Sequence, residues 1–239
     1  MSTNIGTPGG KGIGNSRGGY APSTVRFYNT LTSMTEASAS VVGEGFTLFG
    51  NCNAASSFGP VYWENGLYSS AIGDFATAGA TTTSWGGSLE FFWKAGVAPG
   101  SGVVEGVIGV GANADTDKMS FCHDGVANAF YFRVFDGLGN YNCSATDADC
   151  AYTASGDVIH FGIVWASTGE LQGGHTAHLY ANNNLVGVCT TSWTPGKCVD
   201  VHIGNTNVGG LADPAWSYVE GFKLHDDIKP GFRDYLTRR

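Results

Sequence analysis

The sequence predicts an all-β fold, a sandwich or a barrel of short strands, behind an extended N-terminal arm. Three observations predict it. The 239 residues include 37 glycines with abundant Ser, Thr, Ala and Asn, and no run of Glu, Lys, Arg and Leu of the kind that builds long helices. Apolar residues recur with period two in many short segments. Those segments are separated by Gly, Asn, Asp and Pro clusters that suit tight turns. The length fits one sandwich, so residues 1–25 are expected to be the arm and residues 26–239 a single sandwich domain.

The arm comes first. It is rich in Gly, Ser, Thr, Asn and Pro, and it carries Lys11 and Arg17 but no acid. GTPGGKG resembles a phosphate loop only in composition, because its first glycine is three residues from the Gly-Lys and a glycine follows the lysine. The arm has no apolar periodicity and forms no core of its own. Its backbone amides and carbonyls need partners if it is ordered, so it is expected to be held against another protein of an assembly.

The strands follow in order. TVRFYNTL and GFTLFGN are short and β-rich. SLEFFWKAG sets Leu89, Phe91 and Trp93 on one face and Glu90, Phe92 and Lys94 on the other. GVVEGVIGVG, AFYFRVFDG and DVIHFGIVWAS continue the pattern, and FCHDG reads as a strand end entering a turn. HTAHLYANNNLVG then reads as strand, turn, strand. As strand residues three apart, His175 and His178 fall on opposite faces and do not clasp one metal. Asn tolerates positive φ, so Asn182-Asn183 makes the turn. CVDVHIGN and YVEGFKLHD are further strands, and KPGFRDYL is a helical turn.

Charge narrows the partners. Net charge is −8, and beyond Thr35 there are 9 bases against 20 acids. An acidic body does not suit nucleic acid, whose phosphates need clustered Lys and Arg. No apolar run approaches the length of a membrane span, so no membrane partner is expected. Met1 is followed by a polar stretch without an apolar h-region, so ordinary secretion is not expected. Six cysteines allow 15 pairings. Spacing suggests Cys143 with Cys150 and Cys189 with Cys198, and buried free thiols are the alternative.

GIVWAS, HLYANNNLVG, VHIGN, YVEGFKLHD and FRDYL, in that order, resemble the C-terminal half of a laminin-G-like, concanavalin A-like lectin domain. Trp165, Tyr180 with Asn182, Ile203 with Gly204, and Gly221 with Phe222 fill the places of that pattern. SLEFFWKAG resembles its early aromatic strand, and the resemblance extends over about Gly59 to Leu236. Asn183 departs from it, where glycine is usual. The resemblance implies a jelly roll of two antiparallel sheets. Members of the family bind glycans, bind proteins, hydrolyse polysaccharides or serve as display modules.

The candidate chemistry divides these roles. The Glu-x-Asp-x-x-Glu array of the family's hydrolases does not occur, Glu105 and Glu220 stand alone, and paired acids are needed for glycoside hydrolysis. Cys122, His123 and Asp124 are consecutive and match no triad. No enzyme activity and no obligatory cofactor are expected. Calcium is the metal these loops could hold: Asp115 and Asp117, or Asp147 and Asp149, offer hard oxygen ligands. Trp85, Trp193 and Trp216 lie in loop-like contexts and are the candidate glycan or partner contacts, whereas Trp93 and Trp165 belong to the core. The leading expectation is a non-enzymatic structural or display protein of a larger particle, decorating or attaching a bacteriophage virion. It would be present in many copies or as a homo-oligomer, and anchored through its arm to capsid or tail proteins. The second is a free or cell-surface, extracellular lectin-like module that binds carbohydrate. The third is a glycoside hydrolase.

Overall fold

The computed structural model describes residues 25–29, 31, 38–45, 47–49, 53–54, 67–68, 75–111, 118–204 and 217–225. The expected arm up to residue 24, with Lys11 and Arg17, lies outside them, as does the helical turn expected at 229–236.

The described residues form strands and turns, with no helix among them. The strands are β1 (Val25–Asn29), β2 (Thr47–Phe49), β3 (Asn53–Ala54), β4 (Leu67–Tyr68), β5 (Phe75–Thr83), β6 (Gly86–Lys94), β7 (Val104–Gly111) and β8 (Lys118–Asp124). They continue with β9 (Ala129–Phe135), β10 (Asn140–Thr146), β11 (Val158–Ala166), β12 (Ala177–Ala181), β13 (Asn184–Cys189), β14 (Lys197–Ile203) and β15 (Tyr218–His225). One sheet runs β13-β12-β11-β6-β15-β4-β3, with β1 also paired to β15. The other runs β10-β9-β8-β7-β14-β5-β2, and all pairings are antiparallel. This is the all-β, two-sheet sandwich that the sequence predicts.

Period-two alternation decides which side chains meet between the sheets. From β6 come Leu89, Phe91 and Trp93, and from β11 Ile159, Phe161, Ile163 and Trp165, all essentially inaccessible. Phe121 of β8 and Phe130 and Phe132 of β9 face them. Phe91 meets Phe121 at 5.2 Å and Phe161 meets Phe121 at 4.7 Å, so rings from both sheets interlock. Each large side chain buried in this way contributes about 1.5–3 kcal/mol, which makes the layer the main cohesive force of the fold.

The turn at Asn182-Asn183 forms as expected, with φ of 47° and 71° between paired Ala181 and Asn184. Asn182 also fastens the hairpin to β11: its N–H donates to His160 O at 2.8 Å, and its Oδ1 accepts from His160 N–H at 3.0 Å.

Three expectations need correction. His175 and His178 do not point apart: His175 Nδ1 lies 3.0 Å from His178 Nε2. The cause is that β12 begins only at Ala177, so His175 belongs to a turn and escapes strand alternation. The suggested disulfides are absent, since Cys143, Cys150, Cys189 and Cys198, with Cys122, are buried free thiols. Burial pushes the thiols of Cys143 and Cys150 up to about 12. Glu105 is not isolated, because the pairing of β7 with β8 sets it opposite His123.

Candidate functional site

The sequence candidates take different places. Trp85 sits in the turn between β5 and β6 and is 51% exposed. Trp193 is buried instead of offering a contact face: its indole N–H donates to Ser84 O at 2.8 Å, and its ring lies 6.0 Å from Tyr141. It fills the end of the sandwich beneath that turn. Trp216, Asp115 and Asp117 lie outside the described residues. Asp147 is buried with its Oδ1 3.0 Å from His123 Nε2. Asp149 closes a turn, accepting from Thr146 Oγ1–H at 2.7 Å and Thr146 N–H at 3.2 Å, and these bonds hold its carboxyl below the usual range. The two aspartates thus serve different local networks. Among the described residues no three His, Cys, Asp or Glu side chains converge as metal ligands.

An arrangement that the sequence reading missed lies on the outer face of the seven-stranded sheet. Along β9, Phe130, Phe132 and Val134 point inward, and Tyr131, Arg133 and Phe135 alternate outward, partly exposed. The Arg133 guanidinium lies over the Tyr131 ring at 4.7 Å. Lys118 from β8 lies over Phe135 at 5.4 Å. On the other side β10 presents Asn140, Asn142, Ser144 and Thr146, all exposed. The register sets Asn142 opposite Arg133 and Ser144 opposite Tyr131. Arg133 Nε is buried without a hydrogen-bond partner, and the guanidinium meets no carboxylate among the described residues. A row of amide and hydroxyl groups beside ring faces and a cation suits a ligand that carries both hydroxyls and apolar C–H surface. Alternation in AFYFRVF was the available signal. It was spent on fold because NYNCSAT, the polar partner strand, has too little apolar character to be recognised.

The outer face of the other sheet carries Glu90, whose Oε1 accepts from Lys223 Nζ at 2.9 Å. His160 Nε2 stands 3.7 Å from Glu90 Oε2, and the His160 ring stacks on Phe92 at 3.9 Å. Lys223 also lies over Tyr28 at 5.1 Å. The Glu90 carboxylate is therefore held by Lys223 through Oε1.

A third polar group is internal. His123, fully buried, has Asp147 at 3.0 Å from Nε2 and Glu105 Oε2 at 3.9 Å from Nδ1. Burial pushes the His123 imidazole down, against the opposing pull of Asp147, and pushes the Asp147 carboxyl up, against the pull of His123. The signal was present in KMSFCHD, where His123 shares the inward face of Met119 and Phe121.

Solved structures share this fold. The chain is similar to the receptor binding domain of botulinum neurotoxin D, with a TM-score of 0.62 and 11% identity over 87% of this chain and 50% of that one. It is similar to the serotype D ligand binding domain in complex with N-acetylneuraminic acid, with a TM-score of 0.63 and 11% identity over 88% and 49% of the two chains. It is also similar to domain 4 of AbnA, a GH43 extracellular arabinanase from Geobacillus stearothermophilus, in complex with arabinotriose. There the TM-score is 0.60 and the identity 9%, over 90% of this chain and 98% of that one. The chain thus spans about half the length of the toxin chains and nearly all of the arabinanase domain. No family model and no curated protein sequence matches it. Likeness at this level establishes a common β-sandwich.

Proposed function

We propose that this protein is a non-catalytic carbohydrate-binding β-sandwich, with the outer face of β8, β9 and β10 as its glycan contact. The observation that carries the reading is the outward ladder of Tyr131, Arg133 and Phe135 beside the exposed side chains of Asn140, Asn142 and Ser144. Ring faces pack against sugar C–H groups, and amides both donate to and accept from hydroxyls. Two of the structural neighbours are described as complexes with sugars, which supports the same class of ligand. Trp85, half-exposed at one end of the sandwich, is a second candidate contact. Hydrolysis is less well supported, because Glu90 is bonded to Lys223 at 2.9 Å. In the wider setting we infer a display role. The sandwich would be carried in many copies on a particle such as a bacteriophage virion, anchored by its arm, and the support is the Gly-rich arm with Lys11 and Arg17 ahead of an acidic body.

A glycan array tests the contact. Retention of at least one glycan class is expected, with loss of most of the signal in Tyr131→Ala and Arg133→Ala variants that melt as the parent does. Binding untouched by both substitutions, or no binding to any glycan, would overturn the assignment.

A further inference from the structure

The turn between β11 and β12 brings two imidazoles together for which the glycan reading has no use. After Ala166 the chain folds back through Gly169, Gly173 and Gly174, all at positive φ, and Leu171 N–H donates to His175 O at 3.2 Å. A Cβ on Gly173 would stand 2.9 Å from His175 Cε1, so the loop packs its backbone against that ring. The fold-back aims His175 Nδ1 at His178 Nε2, 3.0 Å away, with the rings at 74°. On its other side His178 Nδ1 lies 3.2 Å from the Tyr180 hydroxyl.

This is the arrangement of a paired imidazole donor set. When Nδ1 of His178 carries the proton and donates it to Tyr180, the Nε2 lone pair points toward His175, and the hydroxyl fixes ring and tautomer as outer hydrogen bonds do for metal-bound histidines. A tetrahedral ion held at 2.0–2.1 Å by each nitrogen sets them about 3.4 Å apart, so the pair has to open by about 0.4 Å and the rings have to turn until both lone pairs point to the ion. The movable member is His175, which is half-buried and lies in the turn. Cross-strand neighbours of His178 are Val164 of β11 and Val188 of β13. Leu171 packs with Val164, Ala166 and Tyr180. Neither imidazole meets a carboxylate among the described residues.

We propose that His175 and His178 form a two-histidine clamp for a divalent transition ion, with Tyr180 as its positioning residue. Imidazole suits Zn²⁺, Ni²⁺ and Cu²⁺ and does not suit Ca²⁺. Two protein ligands leave the other coordination positions to water, so the site is weaker than a closed four-ligand centre. Binding requires the His175 proton to move from Nδ1 to Nε2, which frees the Nδ1 lone pair, and acid competes with the metal.

The experiment is calorimetric titration of tag-free protein with Zn²⁺ and with Ni²⁺. Saturable one-to-one uptake is expected at about pH 7.5, falling at least about tenfold at about pH 5.5, because protons compete with the metal for imidazole nitrogen. His175→Ala should abolish uptake. His175→Gln, which keeps a hydrogen-bonding side chain in the turn, should do the same with an unchanged melting temperature. Tyr180→Phe should weaken uptake severalfold. Absence of saturable uptake by the parent protein would overturn the proposal, and so would parent-like affinity in either His175 variant.

Discussion

The His123 imidazole and the Asp147 carboxylate meet at 3.0 Å inside the sandwich, with Glu105 closing the other side of the ring. Burial dominates this pair. It holds His123 below its ordinary value, as it does His178 and His202. A histidine whose folded pKa is depressed takes its proton more readily in the unfolded chain, so stability is full above the unfolded value of about 6.5 and falls as pH drops below it. Each unit of depression is worth about 1.4 kcal/mol once both states have titrated. The melting temperature is therefore expected to fall between about pH 7 and pH 5, and His202→Gln should flatten that slope. A melting temperature constant over the interval would contradict the burial argument.

The β12–β13 turn separates two asparagines by role. Asn183→Gly is expected to be neutral or to stabilise by up to about 0.5 kcal/mol, since glycine adopts a φ of 71° without steric cost and removes a buried amide oxygen that has no partner. Asn182→Gly should destabilise by about 1 kcal/mol, because the bond from His160 N–H is lost. Denaturant unfolding of both variants checks the ordering, which a larger loss for Asn183→Gly would reverse.

Gly187 marks a close approach of β13 to β10. A Cβ there would lie 2.4 Å from Ser144 O, a backbone atom, and 3.3 Å from Cys143 Sγ. Gly187→Ala should destabilise by about 1–3 kcal/mol, as overpacking does in other cores. A chemical melt within experimental error of the parent would show that the two strands separate freely.

The buried cysteines predict chemical silence. Cys143 and Cys150, pushed up to about 12 by burial, hold almost no thiolate at neutral pH. Alkylation of the native protein should leave both unlabelled, and modification in denaturant should label both without prior reduction. A mass that rises only after reduction would restore a disulfide.

The arm of residues 1 to about 25 remains a proposal, tested by truncation. Removing residues 1–22 should leave a folded sandwich that no longer joins its assembly, because extended main-chain contacts to a partner would be lost. Normal assembly of the truncated protein would refute the anchor.

Much of the fold was legible in the sequence, because period-two alternation in segments such as SLEFFWKAG is a direct imprint of the sandwich interior. β5 and β10 escaped because FATAGATTT and NYNCSAT lack large apolar side chains. The histidine pair escaped because alternation was carried two residues past the true start of β12. The outward face proposed as the glycan contact escaped for a different reason: picking out Tyr131 and Arg133 needs the cross-strand register with Asn142 and Ser144, which no single segment contains.

β9 is a strip with two independent sides. Phe130, Phe132 and Val134 hold the sheets together, and Tyr131, Arg133 and Phe135 face outward. Substitution on the outward side can therefore change the chemistry of the surface while leaving the cohesive side intact. A single inserted or deleted residue would exchange the two sides at once. The strand thus accepts changes of residue identity on its outward side and rejects changes of phase.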